Sequence, residues 1–127
     1  RLSKVEPVSE RTPIFRNIHL SNVTGNDIKR IGYIKGIEEM PISELSFSNM
    51  NIVAGKGFQA ETATDIRFNN VSFTVEEGPS LNIRQCKDIF LNDVRTKQPI
   101  AGQPVVDLEA IENLSIIHCD STQIVRK

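Results

Sequence analysis

The side chains able to do chemistry are few. Glycoside hydrolysis usually needs at least two carboxylates, and two adjacent pairs stand out, Glu38-Glu39 and Glu76-Glu77. Each lies beside Pro or Gly in a connection, and neighbours on a strand point apart. They read as solvated turns. Cys86 and Cys119 have no nearby His backed by a carboxylate, so neither reads as an activated nucleophile. His19 lies outward beside Ser46 and Arg67, with no partner at metal-ligand spacing. A Gly-rich phosphate loop, a zinc spacing and a nucleophile elbow are all missing. The expectation is no catalytic residue, no metal and no cofactor. Lys35, Arg67 and Arg84 remain as candidates to contact an anionic ligand. The competing reading is a solvated face, because Glu61, Arg84 and Glu109 alternate in sign along one track.

Composition says what must hold these groups. The chain has 127 residues, 15 basic and 16 acidic, for a net charge of −1. That balance gives no general pull toward nucleic acid. No stretch approaches the roughly 18 apolar residues of a membrane helix. The apolar set holds 16 Ile and 10 Val, against 7 Leu, 5 Ala and 2 Met. β-Branched side chains fit a pleated surface, because their χ1 is already restricted. Ten Asn and no Trp complete the picture of a strand-rich chain with many turns.

An internal repeat organises it. Asn17-Ile18-His19-Leu20-Ser21-Asn22-Val23 recurs as Glu44-Leu45-Ser46-Phe47-Ser48-Asn49-Met50, then as Asp65-Ile66-Arg67-Phe68-Asn69-Asn70-Val71. Asp88-Ile89-Phe90-Leu91-Asn92-Asp93-Val94 follows, and Asn113-Leu114-Ser115-Ile116-Ile117-His118-Cys119 is a degraded fifth copy. The anchors 18, 45, 66, 89 and 114 are 27, 21, 23 and 25 residues apart. A second phrase steps in parallel, through Ile34-Lys35-Gly36-Ile37, Phe58-Gln59-Ala60-Glu61, Leu81-Asn82-Ile83-Arg84 and Val106-Asp107-Leu108-Glu109. A third short strand is expected at Asn51–Ala54 and again at Ser72–Val75. Constant motifs with variable spacing describe a solenoid whose connections absorb insertions. The prediction is an all-β, right-handed parallel β-helix of about five coils of about 24 residues. A leucine-rich repeat is the competitor, but Ile and Phe stand where Leu is needed and no helix separates the strands.

Stacking assigns the remaining positions. Asn22, Asn49 and Asn70 share one column, continued by Asp93 and His118, and are expected to form an amide ladder at a left-handed turn. Leu20, Phe47, Phe68, Leu91 and Ile116 form an apolar column, with Phe47 and Phe68 offset-stacked. Cys119 aligns with Val94, Val71, Met50 and Val23, and Cys86 with Ala63 and Ile111. Both cysteines therefore point inward on different tracks, which argues against a disulfide. Asn22-Val23-Thr24, Asn70-Val71-Ser72 and Asn113-Leu114-Ser115 match the glycosylation triplet, and are read as products of the repeat.

Thr12-Pro13-Ile14-Phe15 leading into the first repeat, with Gly36-Ile37-Glu38-Glu39-Met40-Pro41-Ile42 leading into the second, resembles the late coils of the polygalacturonases, glycoside hydrolase family 28. The match runs over about residues 5 to 119. The resemblance implies a galacturonide from pectin as substrate, inverting hydrolysis, no metal, and a secreted or periplasmic setting. The family's catalytic motifs are Asn-Thr-Asp, Asp-Asp, Gly-His-Gly and Arg-Ile-Lys, and none is present. Ala63-Thr64-Asp65 belongs to the repeat, and Lys29-Arg30-Ile31-Gly32 has Gly where Lys is required. No catalytic residue carries over. The expectation is a C-terminal β-helix segment, inactive alone, with residues 1–12 as a lead-in or cover and 13–127 as solenoid. The absence of Met at Arg1 fits a cut through a longer solenoid, and self-association through the N-terminal coil is expected. The alternative is a non-catalytic carbohydrate-binding or self-assembling β-helix module.

Overall fold

The computed structural model describes residues 16–127. The expected lead-in, residues 1–12, lies outside the described residues. The chain winds as a parallel β-solenoid of about four turns of about 23 residues. Five anchors bound four intervals, so the five expected coils become four complete turns.

Strands β1 (Ile18–Lys35) and β2 (Ser43–Glu61) are long because they run through corners. They are followed by β3 (Thr64–Val75), β4 (Leu81–Arg84), β5 (Lys87–Arg95), β6 (Val106–Glu109) and β7 (Glu112–Ile117). A 3-10 turn, Ser121–Gln123, leads into β8 (Ile124–Arg126). Every strand pairing is parallel. The first part of each coil stacks as β1, β2, β3, β5 and β7, and the second part as β1, β2, β4, β6 and β8.

The anchors meet in register: Ile18 opposite Leu45, then Ile66, Ile89 and Leu114. The third phrase is also in register, with Asn51 opposite Ser72 and Ala54 opposite Val75. The second phrase is displaced in its first copy. Ile34, not Gly36, faces Ala60. A bulge between Gly25 and Ile28 shortens the offset between β1 and β2 by one residue. Gly36 itself is taken up by a corner, where a Cβ would lie 2.1 Å from the Thr62 carbonyl oxygen. Only glycine permits that approach.

Corners explain the Asn and Asp content. Single residues in the left-handed conformation redirect an otherwise extended chain. They form columns: Asn17, Glu44, Asp65, Asp88 and Asn113; then Asn22, Asn49, Asn70, Asp93 and His118; then Thr62, Gln85 and Ala110. Asn and Asp tolerate this region better than other residues with a Cβ. Glu44, Thr62, Gln85 and Ala110 are costlier choices, held by the coils above and below.

The core is continuous. Leu20, Phe47, Phe68, Leu91 and Ile116 stack in register. Phe47 and Phe68 lie 5.0 Å apart at 22°, and Phe58 and Phe73 meet Phe68 edge-on. Phe68 and Leu91 are fully buried, whereas Leu20 is 45% exposed. Burying a side chain such as Phe68 contributes about 3 kcal/mol. A coil obtains that burial only from neighbours on both sides, so β1 keeps Ile18, Leu20 and Ile28 in contact with solvent.

Candidate functional site

Alternation along β1, β2, β4 and β6 sends every second side chain outward and stacks equivalents into rows. One row is Lys35, Glu61, Arg84 and Glu109, and the next is Tyr33, Gln59, Asn82 and Asp107. Lys35 Nζ lies 3.4 Å from Glu61 Oε2. Arg84 stands between Glu61 and Glu109 in register, but its Nε donates to Asn82 Oδ1 at 3.3 Å. Tyr33, half exposed at the edge, adds a flat apolar ring to the amides of Gln59 and Asn82. Lys127 Nζ reaches Asp107 at 3.8 Å. Pairs this exposed contribute at most about 1 kcal/mol each.

Arg67 is elsewhere. It lies on the first part of its coil, between Ser46 and Phe90 in register. Its Nε is 3.5 Å from Asp65 Oδ1 and its guanidinium is 5.7 Å from the centre of the Phe90 ring. His19 Nδ1 lies 2.7 Å from Ser46 Oγ on the same row. The structure thus brings Lys35 and Arg84 onto one face and leaves Arg67 on another.

The acidic pairs occupy turns. Glu38 and Glu39 sit inside a tight turn closed by Ile37 and Met40. The N–H groups of Glu76 and Glu77 donate to carbonyls of Ala54 and Gly55, and Glu77 pairs with Lys56 at 3.5 Å. A different carboxylate set, missed in the sequence, stacks at the first corner: Glu44, Asp65 and Asp88. Its signal was the residue immediately before each anchor. Asp65 faces Arg67, and Asp88 accepts from Asn113 Nδ2 at 2.6 Å, so both are tied into corner contacts. Among the described residues no group of His, Cys, Asp and Glu is arranged to hold a metal ion.

Both cysteines are free. Cys86 is buried and donates to the Arg84 carbonyl at 3.2 Å. Burial pushes its thiol above the ordinary range, against backbone hydrogen bonds that pull it down. A neutral, shielded thiol is a poor nucleophile. Cys119 Sγ accepts the Val94 N–H at 3.4 Å and packs against the core.

The ladder is built in part. Asn70 Nδ2 donates to Asn49 Oδ1, and Arg95 Nη1 donates to Asn70 Oδ1 at 3.0 Å. Asn22 shares the left-handed backbone but is exposed at the column's end. A second amide ladder, absent from the sequence reading, runs beside it: Asn92 Nδ2 donates to Asn69 Oδ1, and His118 Nδ1 donates to Asn92 Oδ1.

One cleft opens beside the outward rows, with a volume of about 430 Å³. Arg30, Lys56, Gln59, Asn82 and Gln103 line it, with the Glu77–Pro79 connection as a wall. That wall is close because of Gly57, where a Cβ would meet the Ser80 and Pro79 carbonyl oxygens at 2.2 and 2.4 Å. Ser80 Oγ, donating to the Phe73 carbonyl at 2.6 Å, pins the connection to the core.

Comparison of the chain with protein-family models, curated proteins and solved structures finds no match.

Proposed function

We propose that this chain is a non-catalytic stretch of a polysaccharide-acting β-helix, and in the finer reading the late coils of a galacturonide hydrolase. Its work is to extend the solenoid and present a sugar-facing surface. The row of Lys35, Glu61, Arg84 and Glu109 beside Tyr33, Gln59 and Asn82 carries this reading. Amides satisfy hydroxyls, an exposed ring packs on a sugar face, and cations meet a carboxylate. The acid pairs Glu38-Glu39 and Glu76-Glu77 sit in turns, and of the carboxylates within the rows Glu61 is paired with Lys35 and Asp107 with Lys127, which supports the non-catalytic reading.

Incubating the purified chain with oligogalacturonate tests it. Expected are saturable binding, weakened by Lys35→Gln and Arg84→Gln, and no new reducing ends. Release of galacturonate overturns the non-catalytic role, and absence of binding overturns the sugar-facing role.

The exposed end of the apolar column favours a second reading, end-to-end assembly through β1. Ile18, Leu20 and Ile28 are 37%, 45% and 37% exposed on an edge strand. Unpaired edges invite pairing with another copy. Concentration-dependent sedimentation, abolished by Leu20→Lys, is expected under this reading, and a monomer at every concentration removes it.

A further inference from the structure

The cleft contains an electrostatic anomaly. Arg30 and Lys56 face each other in register on adjacent strands. Neighbouring parallel strands lie about 4.8 Å apart, and like charges directly opposed across a sheet are unfavourable. Lys56 has partial relief from Glu77 at 3.5 Å, but both side chains are more than half exposed and that pair is weak. Among the described ion pairs none reaches Arg30. Two cations are thus held together at the mouth of a walled cleft, and the wall is fixed by Gly57 and Ser80 rather than by a loose loop.

We propose that this cleft binds a tetrahedral oxyanion, a phosphate or sulfate, either free or as an ester on a hydroxylated ligand. A guanidinium fork by itself satisfies both oxygens of a carboxylate. Here the fork is joined by an ammonium one coil away and by the amides of Gln59, Asn82 and Gln103. That surplus of donors, arriving from separate coils, suits a group with three or four oxygens. The site shares Gln59 and Asn82 with the surface proposed to face a sugar, but its cations are Arg30 and Lys56 rather than Lys35 and Arg84, so variants at the two cation pairs test the two readings separately.

Titrating the intact chain with inorganic phosphate, inorganic sulfate and acetate, followed by backbone amide NMR shifts at Gly57 and Gly78, tests the site. Saturable shifts are expected with phosphate and sulfate, with affinity at least tenfold weaker in Arg30→Gln and several-fold weaker in Lys56→Gln. Lys87→Gln, distant from the cleft, leaves the affinity unchanged. A melting curve confirms that each variant is folded. Removing one of two opposed cations should also raise the melting temperature at low salt, and phosphate should raise it more in the parent chain and in Lys87→Gln than in either cleft variant. A phosphorylated or sulfated oligosaccharide binding more tightly than the free ion identifies the ester as the ligand, and equal binding identifies the free ion. Acetate binding as tightly as phosphate, an unchanged affinity in Arg30→Gln, or no saturation with either tetrahedral ion overturns the proposal.

Discussion

Asn70 donates its Nδ2 hydrogen bond to Asn49 Oδ1 at 2.8 Å, joining one turn of the solenoid to the next through side chains alone. Both residues also hold the left-handed backbone, with φ of 57° and 53°. The two roles can be separated. Asn49→Gly keeps the backbone freedom and loses only the bond, which costs about 1 kcal/mol. Asn49→Leu loses the bond and forces a branched side chain into a conformation that costs a further 1–2 kcal/mol or about that. Thermal melts should therefore rank the parent above Asn49→Gly, and Asn49→Gly above Asn49→Leu, over several degrees. An unchanged melt for the Leu variant would sink the ladder.

The apolar column predicts a gradient along the solenoid axis. Phe68 is fully buried between Phe47 and Leu91, so Phe68→Ala should cost about 4 kcal/mol in transfer and cavity terms. Leu20 occupies the same column but is 45% exposed, and Leu20→Ala should cost about 1 kcal/mol. Urea denaturation of the two variants measures the difference. Equal losses would mean that the first coil is packed as tightly as the third.

Much of this architecture was legible because a solenoid repeats its local rules. An outward His19 or Arg67 flanked by inward Ile and Leu or Phe gives the strand phase, and the spacing of Ile18, Leu45, Ile66, Ile89 and Leu114 gives the register. The pairing of Ile34 with Ala60 was not legible, since the first coil is longer than the later ones and its excess falls between the two phrases, where the apolar pattern marks neither it nor the bulge near Gly25. Nor was the cleft. Arg30 and Lys56 are 26 residues apart and belong to no repeated phrase, so only the folded register brings them together. The candidate cations show the same limit. The repeat puts Arg84 on a track with Glu61 and Glu109, but that Lys35 joins this track and Arg67 lies apart depends on the folded register and on which part of the coil each strand occupies.

Ser72 gives a stabilising prediction. Its side chain is buried, and its Oγ has no hydrogen-bond partner among the described residues. A buried hydroxyl without a partner carries its full desolvation penalty, so Ser72→Ala should stabilise by about 1 kcal/mol. The neighbouring Thr74 is the control, because its Oγ1 accepts the Lys97 N–H at 3.1 Å. Thr74→Val should lose stability in the same denaturation assay. A destabilised Ser72→Ala would show that the hydroxyl contributes more than it costs.

Cys86 sets an alkaline limit on stability. Desolvation raises its thiol above the ordinary value, and the nearby Glu61 carboxylate adds to the effect. The folded chain therefore holds this proton at a pH where the unfolded chain has released it. Stability falls with pH wherever the unfolded state binds fewer protons. The contribution is fully present below the unfolded thiol's value of about 8.5, and is lost as pH rises from there through the raised folded value. Cys86→Ala removes the titrating group but leaves the other ionisable residues unchanged. Its small cavity lowers stability by a constant amount at every pH. The difference in unfolding free energy between parent and variant should therefore be flat from pH 6 to about 8, then shift in favour of the variant as the solution becomes more alkaline. A difference that stays flat through that range would place the Cys86 thiolate in contact with water.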